Sequence, residues 1–204
     1  QMCRHSELLL FDATAHDAAG RRVQVQAGER IFWVRYSNLV VALGAIVRAL
    51  PIPGLAEHAL GFKSLADAIH LRNHVLGRLE VAAADPNPTH RRRELTFVFV
   101  GAGYAGVEAL AELSDLIRDA LRYYPGLRDT PQQWVLVDAA QKILPEIPTR
   151  LGDYAARLLT RRGVDIRTET TLEEVQPHAA RPSGGGEIAT STAGRTGGVG
   201  AHSL

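Results

Sequence analysis

The sequence predicts an α/β protein centred on a Rossmann-like, three-layer domain, and three observations support this fold class. An apolar segment, residues 95–100, leads directly into a G-x-G-x-x-G motif. A segment with apolar residues near every 3.6 positions follows the motif at once, which is typical of an amphipathic helix. Two further strand candidates, residues 134–138 and 164–167, alternate with helical segments, as parallel βαβ units do.

The glycine motif predicts a dinucleotide site. The first glycine of such a motif makes a tight turn, the second leaves bare main chain for a pyrophosphate, and the third lets the helix pack close to the strand. The helix N-terminus would stabilise phosphate by about 0.3–1 kcal/mol per charge. A glycine-rich turn without a ligand is the alternative. The predicted phosphate-binding residues are Gly101, Ala102, Gly103, Tyr104, Ala105 and Gly106.

Asp138 ends the strand that follows the glycine motif and its helix. An acid at this place can accept hydrogen bonds from both hydroxyls of an adenine ribose. It lies further along the chain than usual because residues 122–133 lengthen the connection. An ordinary strand-end Asp is the alternative. The carboxylate would repel a 2′-phosphate, and Lys142, the nearest cation in sequence, lies past the turn, so the sequence favours NADH over NADPH.

The composition excludes several classes of protein. The chain has 23 Lys and Arg against 22 Asp and Glu, so no global charge attracts nucleic acid. A single cysteine, Cys3, leaves no internal disulfide and no CxxC redox pair. No apolar stretch reaches about 18 residues, so no transmembrane helix is predicted. His70 and His74 stand one turn apart near Asp67, and we interpret them as a solvated helix flank, with no metal site predicted.

The N-terminal part predicts a small antiparallel meander. Strand candidates at residues 8–11, 23–26 and 31–34 are separated by residues with turn chemistry. The continuous apolar run 39–44 then predicts a strand covered on both faces and ending at Gly44. A helix over residues 64–79 is predicted to begin with a capping box formed by Ser64 and Asp67.

The C-terminal part has a different composition. Seven glycines lie between residues 184 and 200, separated mostly by Ser, Thr and Ala. Such a segment has few large apolar side chains to bury against a core. Residues 177–204 are therefore predicted to be a disordered tail.

Several segments together resemble the middle of a flavoprotein with two dinucleotide-binding domains, and most closely the type II NADH dehydrogenases, which are non-proton-pumping NADH:quinone oxidoreductases. The resemblance covers about residues 8–176. It implies that residues 1–84 are part of an FAD-binding domain and that residues 93–176 are an NADH-binding domain. The segments that carry it are residues 39–44, 50–54, 61–68, 97–108 and 135–138.

The resemblance also implies roles for individual residues. The glycine loop would hold the NADH pyrophosphate, and Asp138 the adenine ribose. Glu108 matches the family acid that faces the nicotinamide and the flavin, although from the residues alone it is equally well a helix-dipole acid. Ala42 and Gly44 would lie beside FAD. In this family, hydride passes from NADH to the flavin and electrons then pass to a quinone.

Two parts of the family pattern have no counterpart in this sequence. The FAD fingerprint is expected N-terminal to the meander, and the second FAD-contacting strand and the C-terminal membrane-facing region are expected after residue 176. We therefore expect an incomplete FAD site and a truncated enzyme. A non-catalytic NADH-binding module and a ferredoxin-reductase-like flavoprotein are the alternatives. The family also implies a quinone acceptor, a homodimer, and a cytoplasmic location with peripheral attachment to the membrane.

Overall fold

The structure is a computed structural model that describes residues 7–47, 50–196 and 199–201. The chain divides into two compact units, the first ending at Gly44 and the second beginning at Ala45. This division differs from the predicted one, which placed the domain boundary between residues 84 and 93.

The first unit is an antiparallel meander of three strands, β1 (Asp12–Asp17), β2 (Arg22–Ala27) and β3 (Arg30–Arg35), in the order β1-β2-β3. The turn between β1 and β2 is closed by the Asp17 carboxylate, which accepts hydrogen bonds from Gly20 N at 2.8 Å and Arg22 Nε at 2.8 Å. The predicted meander is confirmed. Its first strand begins at Asp12 because the ladder with β2 starts there, and residues 8–11 precede the ladder.

Residues 39–44 do not form the predicted strand. The structure gives this segment no regular secondary structure, and Val40 is 87 % exposed. An apolar run becomes a strand only when a neighbouring strand completes its hydrogen-bond ladder. Within the described residues no strand pairs with this segment, so the prediction of a strand covered on both faces is wrong here.

The second unit alternates strands and helices around the glycine motif and ends in a run of strands. It begins with β4 (Ala45–Val47), α1 (Leu55–His58), β5 (Ala59–Gly61), α2 (Leu65–Ala84) and α3 (Pro88–Glu94). The central part is β6 (Thr96–Val100), α4 (Tyr104–Ala120), β7 (Gln133–Val137), α5 (Thr149–Arg161) and β8 (Val164–Arg167). It ends with β9 (Leu172–Gln176), β10 (Ala179–Pro182), β11 (Ile188–Ala189), β12 (Thr192–Arg195) and β13 (Val199–Ala201).

A five-stranded parallel sheet organises this unit, in the order β5-β12-β6-β7-β8. All five residues of β6 are buried, as expected for a strand covered on both faces. Phe97 and Phe99 face the helices, and the Phe97 ring stacks on Trp134 at 4.3 Å between centroids. Val98 and Val100 face the opposite side, which β9, β10 and β11 cover. The predicted three-layer α/β fold is confirmed.

Helix α2 packs on the parallel sheet that carries the glycine motif. The predicted capping box is present, with Ser64 and Asp67 exchanging hydrogen bonds. Leu71, Val75 and Leu79 are fully buried in the cluster that contains the β6 aromatic rings. The helix therefore belongs with the glycine motif because its apolar face is covered by that sheet.

The segment 177–196 is ordered in the structure, so the predicted disordered tail is wrong over this range. It supplies β10, β11 and β12, and β12 pairs with β6 at the centre of the sheet. Its small residues are a packing requirement: a Cβ on Gly194 would lie 2.8 Å from the Phe99 ring. Residues 197–198 and 202–204 lie outside the described residues.

A buried polar network joins α2, α3 and β12 at the amino ends of the central strands. Glu94 is only 2 % exposed, and its carboxylate accepts hydrogen bonds from Ser191 Oγ at 2.8 Å, Arg93 Nη2 at 3.0 Å and Arg78 Nη1 at 2.9 Å. His74 Nε2 lies 2.9 Å from Thr192 Oγ1. These bonds fasten β12 to the layer of helices.

Candidate dinucleotide-binding site

The glycine loop lies at the carboxyl edge of the parallel sheet, between β6 and α4. Gly101 has φ +102°, a conformation that side-chain-bearing residues rarely adopt, and its N–H donates to Val137 O at 2.9 Å. The loop therefore turns sharply while it stays attached to the end of β7.

Gly106 is tightly packed against main chain, whereas Gly103 borders open space. A Cβ on Gly106 would lie 1.8 Å from Gly101 O, so only glycine lets α4 begin this close to β6. A Cβ on Gly103 would meet a single atom within 4 Å, Glu146 Oε1 at 3.3 Å. Gly103 has ordinary extended dihedral angles, φ −74° and ψ −173°, so its bare Cα is needed for space and not for conformation.

The first turn of α4 presents main-chain donors beside this space. Gly103 precedes the helix and provides no side-chain cap. The first intrahelical bond joins Val107 N to Gly103 O at 3.1 Å, so the N–H groups of the residues between them have no helical partner. Tyr104 is exposed, Ala105 is half-buried and Ala102 is buried. Donors and helix dipole together favour an anionic group.

Asp138 is brought to this loop by the pairing of β6 with β7. Its carboxylate accepts hydrogen bonds from Ala102 N and from Ala140 N, the latter at 2.7 Å. A carboxylate offers about four lone-pair sites, so two backbone bonds leave acceptor capacity for further donors. The two parts of the motif, separated by 36 positions, therefore form one local site.

Glu108 lies one turn after Tyr104 on α4 and is exposed. Residues four apart on a helix share a face, so its carboxylate is on the side of α4 that carries Tyr104. Ala42 and Gly44 belong to the first unit, where both are exposed and Gly44 has φ +71°.

The residues considered as a metal site have other partners. Asp67 accepts hydrogen bonds from Ser64 N at 2.9 Å and Lys63 N at 3.1 Å, and these lower the pKa of its carboxyl group. Burial lowers the pKa of His74. Among the described residues, no three His, Cys, Asp or Glu side chains are grouped so as to hold a metal ion.

Two contacts at the site were not predicted from the sequence. The Thr196 hydroxyl lies 3.0 Å from Val100 O and 2.9 Å from Gly101 O, and it would be 2.5 Å from a Cβ on Gly106. It lies in the segment that was predicted to be disordered. The other contact is made by the loop between β7 and α5, which brings Glu146 to Gly103; no local sequence signal marks either contact.

A cavity of about 250 Å³ opens at the same edge of the sheet, between the loop after β7 and helix α5. Gln141 and Lys142 line it from one side and Thr168 from the end of β8. Lys142 Nζ donates to Thr149 Oγ1 at 2.8 Å, so this cation is directed at the start of α5.

Among curated proteins, the chain is similar in sequence to NADH:quinone oxidoreductases. A type II NADH:quinone oxidoreductase of Mycobacterium tuberculosis is 33 % identical over 173 residues, which are 84 % of this chain and 37 % of that protein. An external alternative NADH-ubiquinone oxidoreductase of Yarrowia lipolytica mitochondria is 33 % identical over 183 residues, 86 % of this chain and 31 % of that protein. The chain thus spans about a third of the length of these curated relatives.

Among solved structures, NDH2 from Plasmodium falciparum in complex with NADH matches with a TM-score of 0.82 and 18 % identity. The match covers 95 % of this chain and 41 % of that one. This match shows the fold, and the curated relatives confirm the resemblance to the type II NADH dehydrogenases. A family model, described as pyridine nucleotide-disulphide oxidoreductase, matches residues 5–196, and the chain belongs to this family.

Proposed function

We propose that this chain is the NADH-binding part of an FAD-dependent NADH:quinone oxidoreductase, in which hydride from NADH reduces FAD and the electrons then pass to a quinone. One observation carries the proposal: β6, a bare glycine loop and the start of α4 converge with the Asp138 carboxylate at one edge of the sheet. The relatives' names support the nicotinamide substrate and the quinone acceptor.

The residues present fit NADH. The pyrophosphate would lie over Gly103 and accept hydrogen bonds from the free N–H groups at the start of α4. Asp138 would use its remaining acceptor capacity for the ribose hydroxyls. Lys142, the nearest cation after Asp138, is hydrogen-bonded to Thr149 and would not pair with a 2′-phosphate. This supports NADH over NADPH.

When bound, the nicotinamide ring supplies the hydride, and the chain's own role is to hold and orient it. Glu108 would act on the nicotinamide side, because it follows the phosphate-binding turn along the exposed face of α4. Its carboxylate would favour the positive charge that the ring gains on oxidation.

The residues described do not form a complete FAD site. They contain one G-x-G-x-x-G loop, at the start of α4, and we assign it to NADH. Ala42 and Gly44 are proposed to lie beside the flavin, and the open space at Gly44, where a Cβ would meet nothing within 4 Å, is compatible with a close approach. A non-catalytic NADH-binding module is the second candidate.

A peripheral position on the cytoplasmic face of a membrane, and assembly as a homodimer, complete the proposal and rest on the family resemblance. No helix in the described ranges combines the length and the apolarity that crossing a bilayer requires.

Titration of the purified chain with NADH, followed by flavin absorbance and quinone reduction assays, tests the proposal. NADH binding with bound FAD and quinone reduction is expected for the enzyme. NADH binding without bound flavin, even after incubation with FAD, would support the non-catalytic module. A chain that binds no NADH would contradict both candidates.

A further inference from the structure

The loop between β7 and α5, residues 142–148, is attached to the glycine loop. Leu144 N donates to Ala102 O at 2.7 Å, and both Ile143 and Leu144 are buried. Helix α5 holds the loop from the other side, since a Cβ on Gly152 would lie 3.1 Å from Ile143 O. The main chain of this loop therefore has a fixed place relative to Ala102.

Glu146 projects from this loop to the side of Gly103 that the motif leaves bare. Its Oε1 is the one atom within 4 Å of a Cβ built on Gly103, at 3.3 Å. The side chain is exposed, and over the described ranges its carboxylate has neither a hydrogen bond nor an ion pair. Lys142, the only cation of the loop, is bonded to Thr149.

A carboxylate at this place opposes the ligand that the rest of the site favours. The pyrophosphate of a dinucleotide carries two negative charges, and like charges a few ångströms apart repel each other even near a protein surface. Glu146 can rotate away because it is exposed, but the fixed main chain keeps its charge close.

We propose that Glu146 is an affinity-lowering residue of the dinucleotide site: it occupies the space over Gly103, must turn aside when the pyrophosphate enters, and raises the Kd of the dinucleotide. This inference rests on the proposed NADH site and concerns the pyrophosphate alone. It therefore applies equally to NADH and to ADP-ribose, which has the same pyrophosphate without the nicotinamide.

The test compares Glu146→Gln with Glu112→Gln, which removes one exposed carboxylate from α4 away from the glycine loop. Calorimetric titration is expected to give a Kd for NADH and for ADP-ribose that is roughly fivefold lower in Glu146→Gln than in the wild type. The Glu112→Gln value should stay within about twofold of the wild type. The gain should shrink at about 0.5 M salt, because screening weakens the repulsion.

An unchanged or higher Kd in Glu146→Gln, or a gain matched by Glu112→Gln, would overturn the inference while leaving the NADH site intact. A gain for NADH but not for ADP-ribose would overturn it too, because the charge would then act on the nicotinamide half. Absence of binding by the wild type and both variants would instead contradict the proposed function, and the inference with it.

Discussion

The Asp138 carboxylate accepts a hydrogen bond from the main-chain N–H of Ala102, so the end of β7 is fastened to the glycine loop between β6 and α4. The same carboxylate also holds the turn after β7 through Ala140 N. One side chain thus shapes the glycine loop and keeps acceptor capacity for a further hydrogen-bond donor.

Replacing Asp138 by Asn should weaken NADH binding by about 1.5–3 kcal/mol, or roughly 10- to 150-fold in Kd. The amide has a single acceptor oxygen and no charge, so it cannot serve both main-chain donors and the ribose. The measurement is calorimetric titration. Asp165→Asn is the matched control, because this β8 carboxylate bonds to Arg167 of its own strand. A change of less than twofold in Asp138→Asn would mean that the ribose lies elsewhere.

Gly103→Val and Gly106→Ala should separate binding from folding. Gly103 has dihedral angles that valine tolerates and meets only the end of a flexible side chain, so Gly103→Val should unfold within about 2 °C of the wild type and bind NADH at least about tenfold more weakly. Gly106→Ala places its Cβ 1.8 Å from Gly101 O and should lose about 1–3 kcal/mol of stability. Thermal unfolding and NADH titration of both variants check this; unaltered NADH binding by Gly103→Val would refute the glycine assignment.

Thr190→Val should lower the free energy of unfolding by about 1–3 kcal/mol, because the buried main-chain groups that its hydroxyl serves would lose their hydrogen-bond partner. Thr190 is 2 % exposed, and its Oγ1 lies within hydrogen-bond distance of Thr96 O and accepts from Thr192 N at 3.0 Å. Urea denaturation provides the measurement. Thr160→Val, at an exposed position of α5, is the control of equal volume. Equal stabilities of the two variants would argue that β12 is not part of the cooperative core.

The Glu94 network should make stability depend on pH in the acid range. Burial opposes ionisation of Glu94, but hydrogen bonds from Ser191 and Arg93 and the charge of Arg78 outweigh it, so its pKa is lowered from the usual 4.5. A lowered pKa in the folded state contributes stability above pH 4.5, and this contribution is lost as the pH falls through the folded pKa.

Glu94→Gln should therefore be less stable than the wild type by a constant amount between about pH 5 and 7, with a difference that shrinks as the pH falls further. Urea denaturation at a series of pH values measures it. Glu112→Gln serves as the exposed control and should follow the wild type throughout. A difference between wild type and Glu94→Gln that persists undiminished at pH 3 would show that the carboxylate charge is not what stabilises this network.

The central motif could be predicted because its signals are local. The apolar strand β6, the glycine spacing, the helix that follows and the acid at the end of β7 are consecutive, and the structure brings Ala102 and Asp138 together as parallel pairing requires. The capping box of α2 was likewise predictable, because it involves residues three positions apart.

The errors arose where pairing partners are distant in sequence. Residues 39–44 have the composition of a buried strand, but a strand also needs a neighbour, and the described residues offer none. Segment 177–196 has the composition of a disordered tail, yet its glycines and threonines allow β12 to fit beside Phe99 and to bury its polar groups in hydrogen bonds.

The sequence by itself determined where a turn, a bare main-chain surface and a close helix start must occur, because each follows from a glycine at a fixed spacing in a strand–turn–helix unit. Tertiary structure alone decided that β12 lies beside β6 and that Glu146 faces Gly103. Both depend on how side chains of distant segments pack around Phe99 and Ala102, and no local pattern encodes that packing.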